Sequence, residues 1–74
     1  MSKLPAVSWR DVTRALGKCG FLFDRQKGSH MIYFHPESQA TVSVPQHASI
    51  KKGTLMHIIK QTGLTREEFI ERLK

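Results

Sequence analysis

At 74 residues and 8.5 kDa the chain has room for one small core and excludes a large cofactor-binding fold. Hydrophobic residues make up 39% and charged residues 24%, an ordinary globular balance far from that of a disordered chain. Twelve Lys and Arg against six Asp and Glu leave a net charge of +6, which selects nucleic acid, anionic lipid or an acidic protein as partner, with nucleic acid foremost.

Met1 to Val7 reads as a lead-in. Ser8-Trp9-Arg10-Asp11 then matches a capping box, with Ser8 at the N-cap and Asp11 at N3. Val7 and Val12 are spaced for a hydrophobic staple. Trp9, Val12, Leu16 and Cys19 recur at helical spacing until Gly20 offers a left-handed stop. Gly17 weakens this helix by about 1 kcal/mol relative to Ala.

Phe21 to Gln26 reads as a first strand with its two Phe on one face, and Lys27-Gly28-Ser29 as a hairpin turn. His30 to His35 is the second strand and Pro36-Glu37-Ser38-Gln39 a second turn. Thr41 to Val44 alternates polar and apolar as a third strand that Pro45 ends. From Lys51 to Thr62, Leu55, Ile58 and Ile59 form a helical stripe. Gly63 stands at its C′ position, and Leu64 is placed to touch Ile59 in a Schellman arrangement. Thr65-Arg66-Glu67-Glu68 is a second capping box, opening a short helix through Phe69, Ile70 and Leu73 whose apolar edge folds back on the core. The expected fold is α+β: a single domain over residues 1–74, αβββα, with helices on one face of a three-stranded antiparallel sheet and an extra short C-terminal helix. This is the layout of the double-stranded RNA-binding domain.

With Cys19 alone no intramolecular disulfide forms, and there is neither an apolar leader nor a run approaching eighteen apolar residues. The expectation is a cytoplasmic protein without a membrane segment. The basic residues are dispersed rather than gathered on one amphipathic helix, which argues against a membrane surface. Cys19 falls on an apolar stripe and reads as core rather than nucleophile. The positions of Cys19, His30, His35, His47 and His57 offer no paired metal-ligand spacing, so neither a metal nor another cofactor is expected.

Several residues stand where chemistry is possible. His30 follows Gly28 and Ser29 at the entrance to a strand, where a phosphate can approach the backbone and an imidazole of pKa about 6.5 exchanges protons near neutrality. By spacing alone it reads sooner as an ordinary strand histidine than as a catalytic group. If the second turn pairs His35 with Ala40, paired positions sum to 75, which sets His30 opposite Pro45 and brings His47 close to Gly28. His47 is then the candidate second proton-transfer group, or only a loop residue if the register slips. His35, ~17 Å along the strand from His30 and on its other face, is a poor partner. Lys27 and Ser29 flank His30. Lys51 and Lys52 stand at a helix N-terminus, where lysine is locally unfavourable but suits a phosphate site; the alternative is a solvated basic face.

Gly20-Phe21, Arg25-Gln26-Lys27-Gly28-Ser29-His30, Val44-Pro45-Gln46-His47, Ile50-Lys51-Lys52-Gly53-Thr54-Leu55 and Ile59-Lys60-Gln61-Thr62-Gly63-Leu64 arrive in order and with the right gaps. Together they strongly resemble the HicA (YcfA-like) toxin family over roughly Val12 to Phe69. One departure is Phe34, where a basic or polar residue is common in the family. The resemblance implies an endoribonuclease acting on mRNA, with the histidine of the Gly-Ser-His turn, here His30, as its catalytic residue, and a HicB-like antitoxin as partner. On this reading His30 and His47 serve as acid and base, and Lys27, Gly28, Ser29, Lys51 and Lys52 hold phosphate. The alternatives are a noncatalytic RNA-binding module of the double-stranded RNA-binding type and an interaction protein for an acidic partner.

Overall fold

The computed structural model describes residues 6–74, so most of the lead-in lies outside the described residues. Ser8 opens α1 (Trp9–Lys18): its hydroxyl accepts the Asp11 N–H, and the Asp11 carboxylate accepts the Ser8 N–H at 3.0 Å. This reciprocal cap satisfies two of the N–H groups that every helix start leaves unpaired. Val12, Ala15 and Leu16 are buried, Cys19 is the C-cap and packs against the core, and Gly20 turns the chain at φ +94°.

The strands are β1 (Leu22–Lys27), β2 (His30–Phe34) and β3 (Thr41–Pro45), an antiparallel meander in that order. Within the second ladder His30 pairs with Pro45, Met31 with Val44, Ile32 with Ser43 and Tyr33 with Val42, so paired positions sum to 75. The register is set where the second turn closes, with the His35 N–H donating to the Ala40 carbonyl at 3.0 Å and Gln39 in the left-handed region at φ 62°.

The first strand departs from the expected alternation. Phe21 precedes β1 and is buried, whereas Phe23, paired with Tyr33 on the core-facing side of the sheet, stays exposed beyond the reach of the helices. The register shifts between Phe23 and Arg25, and a bulge of this kind resets which side chains face the core. All six β1 residues are exposed because this edge strand extends beyond the cover of the helices.

The helices α2 (Lys52–Thr62) and α3 (Arg66–Leu73) complete one cluster in which Val42 and Val44 meet Val12, Leu16, Leu55, Ile58 and Phe69. Tyr33 packs against this cluster from β2, so by strand alternation His30, Ile32 and Phe34 point to the sheet's other face. Gly63 ends α2 at φ +80°. The expected Schellman closure forms in part: the Gly63 N–H donates to the Lys60 carbonyl at 3.3 Å, one of its two bonds, but the Leu64 N–H is taken by the Thr62 hydroxyl at 3.1 Å instead of by Ile59. Leu64 still packs against the core, as its position beside Ile59 suggested. Thr65 and Glu68 form the second reciprocal cap, and Phe69 is buried. The result is the α+β, double-stranded RNA-binding-domain-like fold expected from the order of elements.

Two backbone links tie the β3–α2 loop to the start of α1. Val7 bridges Ile50, whose N–H donates to the Val7 carbonyl at 2.9 Å, and the Trp9 N–H donates to the His47 carbonyl at 3.1 Å.

Candidate functional site

A two-residue hairpin creates the site. Lys27 pairs with His30, leaving Gly28 and Ser29 as its corner, and Gly28 takes φ +61° while Ser29 does not require a positive φ. This fits a type II′ turn, whose first central position favours glycine and whose twist matches the flanking strands. A Cβ at Gly28 would meet nothing within 4 Å, so its backbone is open to an approaching group.

His30, the first residue of β2, is flanked across the sheet by Lys27 and Pro45 and is exposed. Among the described residues its imidazole makes no hydrogen bond or ion pair, so both ring nitrogens are available to a ligand. Lys27 and Ser29 are likewise exposed.

Gln26 and Gln46, which the sequence reading did not single out, hold the corner in place. The Gln26 side-chain amide donates to the Gly28 carbonyl at 2.9 Å and to Gln46 Oε1 at 3.2 Å, and the Gln46 N–H donates to the Ser29 carbonyl at 2.8 Å. The position sum of 75 already set Gln46 opposite Ser29. The bond between the two glutamines crosses the sheet and leaves no local signal.

His47 does not take the place opposite Gly28 that the same sum assigned to it. Its N–H folds back to the Pro45 carbonyl at 2.8 Å, its carbonyl accepts from Trp9, and the Gly28 carbonyl is occupied by Gln26. The ladder therefore ends at Gln46, and a tight turn carries His47 toward the start of α1. Its side chain is exposed, at the same end of the sheet as His30.

Lys51 is the N-cap of α2 with φ −65° and ψ 151°, it offers no side-chain cap, and Lys52 begins the helix. The first-turn amides lack a side-chain acceptor, and no acidic residue stands in that turn. An N-terminus left in this state carries partial positive charge that two lysines reinforce.

Acidic residues are sparse along this part of the chain. No Asp or Glu occurs between Glu37 and Glu67, and Asp24, the acid nearest the hairpin in sequence, is engaged by Arg25. The two carboxyls held below their usual range lie elsewhere, in the helix caps. Asp11 is lowered mainly by the Ser8 N–H and Glu68 mainly by the Thr65 N–H. Among the described residues no three His, Cys, Asp or Glu are grouped to hold a metal ion, and no helix is long and apolar enough to cross a membrane. A groove of about 530 Å³ beside α2, lined by Met56, His57, Ile59 and Leu64 among others, includes none of the hairpin residues. The site is an open, cationic corner rather than a cavity.

No curated protein matches the chain. A family model does match, described as the HicA toxin of bacterial toxin-antitoxin systems, and it spans residues 9–64, from the first residue of α1 to the residue after the α2 cap. It therefore takes in the hairpin, His47 and both lysines of the α2 start, and on that coverage the chain belongs to the HicA toxin family.

Proposed function

We propose that residues 1–74 form one toxin domain that cleaves mRNA in the cytoplasm as a metal-independent endoribonuclease, restrained by a HicB-like antitoxin. The observation that carries this reading is His30: exposed, free of hydrogen bonds to described residues, and set at a glycine corner with Lys27 paired across from it.

The chemistry follows from what RNA supplies. Its 2′-oxygen attacks the adjacent phosphorus while a base accepts the 2′-hydroxyl proton. The bond from phosphorus to the 5′-oxygen breaks, and an acid protonates the departing oxygen. The products are a 2′,3′-cyclic phosphate and a free 5′-hydroxyl. An imidazole suits either proton transfer at neutral pH, and His30 takes one of them. His47, at the same end of the sheet, takes the other. Lys27, Lys51 and Lys52 neutralise phosphate charge, and the Gly28-Ser29 corner lets the backbone approach it.

The fold itself supports a second reading, a noncatalytic module that only binds RNA. Incubation of the purified chain with RNA separates the two, because only the first shortens it. Growth arrest on induced expression, relieved by His30→Ala, is the expected result. Full cleavage by a folded His30→Ala variant would refute the assignment, as would products bearing a 5′-phosphate.

A further inference from the structure

The two edges of the sheet are finished differently. The outer edge of β3 is closed: the Ser43 N–H donates to Gln61 Oε1 of α2 at 3.3 Å, and Pro45 ends the strand without an N–H to offer. At the other edge β1 pairs only with β2, so among the described residues its outer backbone groups meet no strand. An unpaired row of N–H and C=O groups is a template for a further strand.

Side chains on β1 favour a particular guest. Leu22 and Phe23 are 60% and 52% exposed and are the large apolar residues left in solvent among the described residues. Phe23 is steadied by an edge-to-face contact with Tyr33, with ring centroids 5.7 Å apart, and so presents a fixed apolar ledge. Farther along, Arg25 and Lys27 supply positive charge, and the only acid, Asp24, is engaged by Arg25. A second copy is a poor guest, since each chain carries +6.

We infer that β1 is the docking edge for an extended segment of an acidic protein, which adds to the sheet as a fourth strand. Main-chain bonds to Leu22–Lys27 supply affinity, apolar side chains seat on Leu22 and Phe23, and carboxylates meet Arg25 and Lys27. The inference rests on the reading of the chain as the toxin of an antitoxin pair and identifies the surface by which the antitoxin holds it. Because β1 ends at the residue paired with His30, a strand reaching Lys27 also removes a phosphate-binding cation from the hairpin.

The test uses the full chain with a HicB-like antitoxin. Amide hydrogen exchange at residues 22–27 is expected to slow at least ~10-fold in the complex. The double substitution Leu22→Glu and Phe23→Glu, which sets like charges against an acidic strand, is expected to weaken the complex ~100-fold. The double variant should cleave RNA as the parent does and keep its circular dichroism spectrum. Unchanged antitoxin affinity in the double variant would overturn the inference, and so would β1 amides that exchange at the free rate in a formed complex. Protection of β1 that grows with concentration of the chain alone would assign the edge to a second copy, and protection by RNA alone would assign it to substrate; either overturns the proposal. Failure of the parent chain to bind any HicB-like antitoxin overturns the partner reading with it, and the RNA-cleavage assay of His30→Ala then decides the catalytic reading separately.

Discussion

His35 Nε2 lies 3.1 Å from the Cys19 carbonyl, while its Nδ1 accepts the backbone N–H groups of Glu37 and Ser38, each at 3.2 Å. Two N–H donors on Nδ1 require that nitrogen to be unprotonated, so the proton sits on Nε2 and is donated to Cys19. One imidazole thus fastens the end of α1 to the β2–β3 turn, with the Phe21 ring edge-on at 5.0 Å.

Removing that fastening should destabilise the fold without touching the hairpin. His35→Ala is expected to cost about 2 kcal/mol, because three backbone partners lose their bond. In a chain of this size that corresponds to a fall of roughly 8–16 °C in Tm. Calorimetry of the variant checks this.

Gly20→Ala combines two penalties: a left-handed φ of +94°, and a Cβ 2.9 Å from His35 Nε2. It is expected to cost about 2 kcal/mol or more. In a His35→Ala background the steric part disappears while the backbone part remains. A double-mutant cycle should therefore show the two substitutions to be less than additive.

Stability should fall in acid. Asp11 and Glu68 titrate below their ordinary values, so each stabilises the folded state in full above pH ~4 to 5, and the contribution is lost as pH falls through the lowered folded value. Urea denaturation between pH 2 and 7 is expected to show a declining limb below pH ~4.5. Asp11→Asn with Glu68→Gln should lower stability at neutral pH and flatten that limb.

The start of α2 should show stability opposed to binding. Lys51→Ser supplies the side-chain cap that α2 lacks and is expected to add about 0.5–1 kcal/mol. The same change removes one of the cations proposed to bind phosphate. Replacing Lys51 and Lys52 with Gln should lower the slope of log K against log salt by roughly 1.4 for single-stranded RNA, measured in the His30→Ala background so that substrate is not consumed.

Gln26→Ala tests the support of the hairpin corner. It removes both side-chain bonds that steady Gly28 and Gln46, so the cleavage rate should drop on the order of 10-fold. The shape of the pH profile should stay unchanged, since no proton-transfer group is lost. A shifted profile would instead make Gln26 part of the proton chemistry.

Much of this was legible because it is local. The two capping boxes read directly from Ser8 with Asp11 and Thr65 with Glu68, and the register of β2 with β3 followed from closing one turn between His35 and Ala40. What stayed hidden depends on tertiary geometry. The bulge after Phe23 breaks the period-two pattern in the second half of β1, the helices stop short of Phe23 although it shares the face of Tyr33, the Thr62 hydroxyl accepts the Leu64 N–H, and the Trp9 N–H draws His47 out of the ladder. At the site, the Gly28-Ser29 corner and the position of the lysines at the start of α2 were readable, whereas the Gln26–Gln46 bond joins residues far apart in sequence.

The links from Val7 to Ile50 and from Trp9 to His47 also set a clock. Their partners are synthesised far apart, so neither closes while the ribosome still holds the β3–α2 loop, and long-range closure of this kind is the slow part of folding. The corner containing His30 emerges early, but the loop that carries His47 and Lys51 stays untethered until α2 is being made. On the reading proposed above, the chain completes its phosphate-binding face only late in its own synthesis.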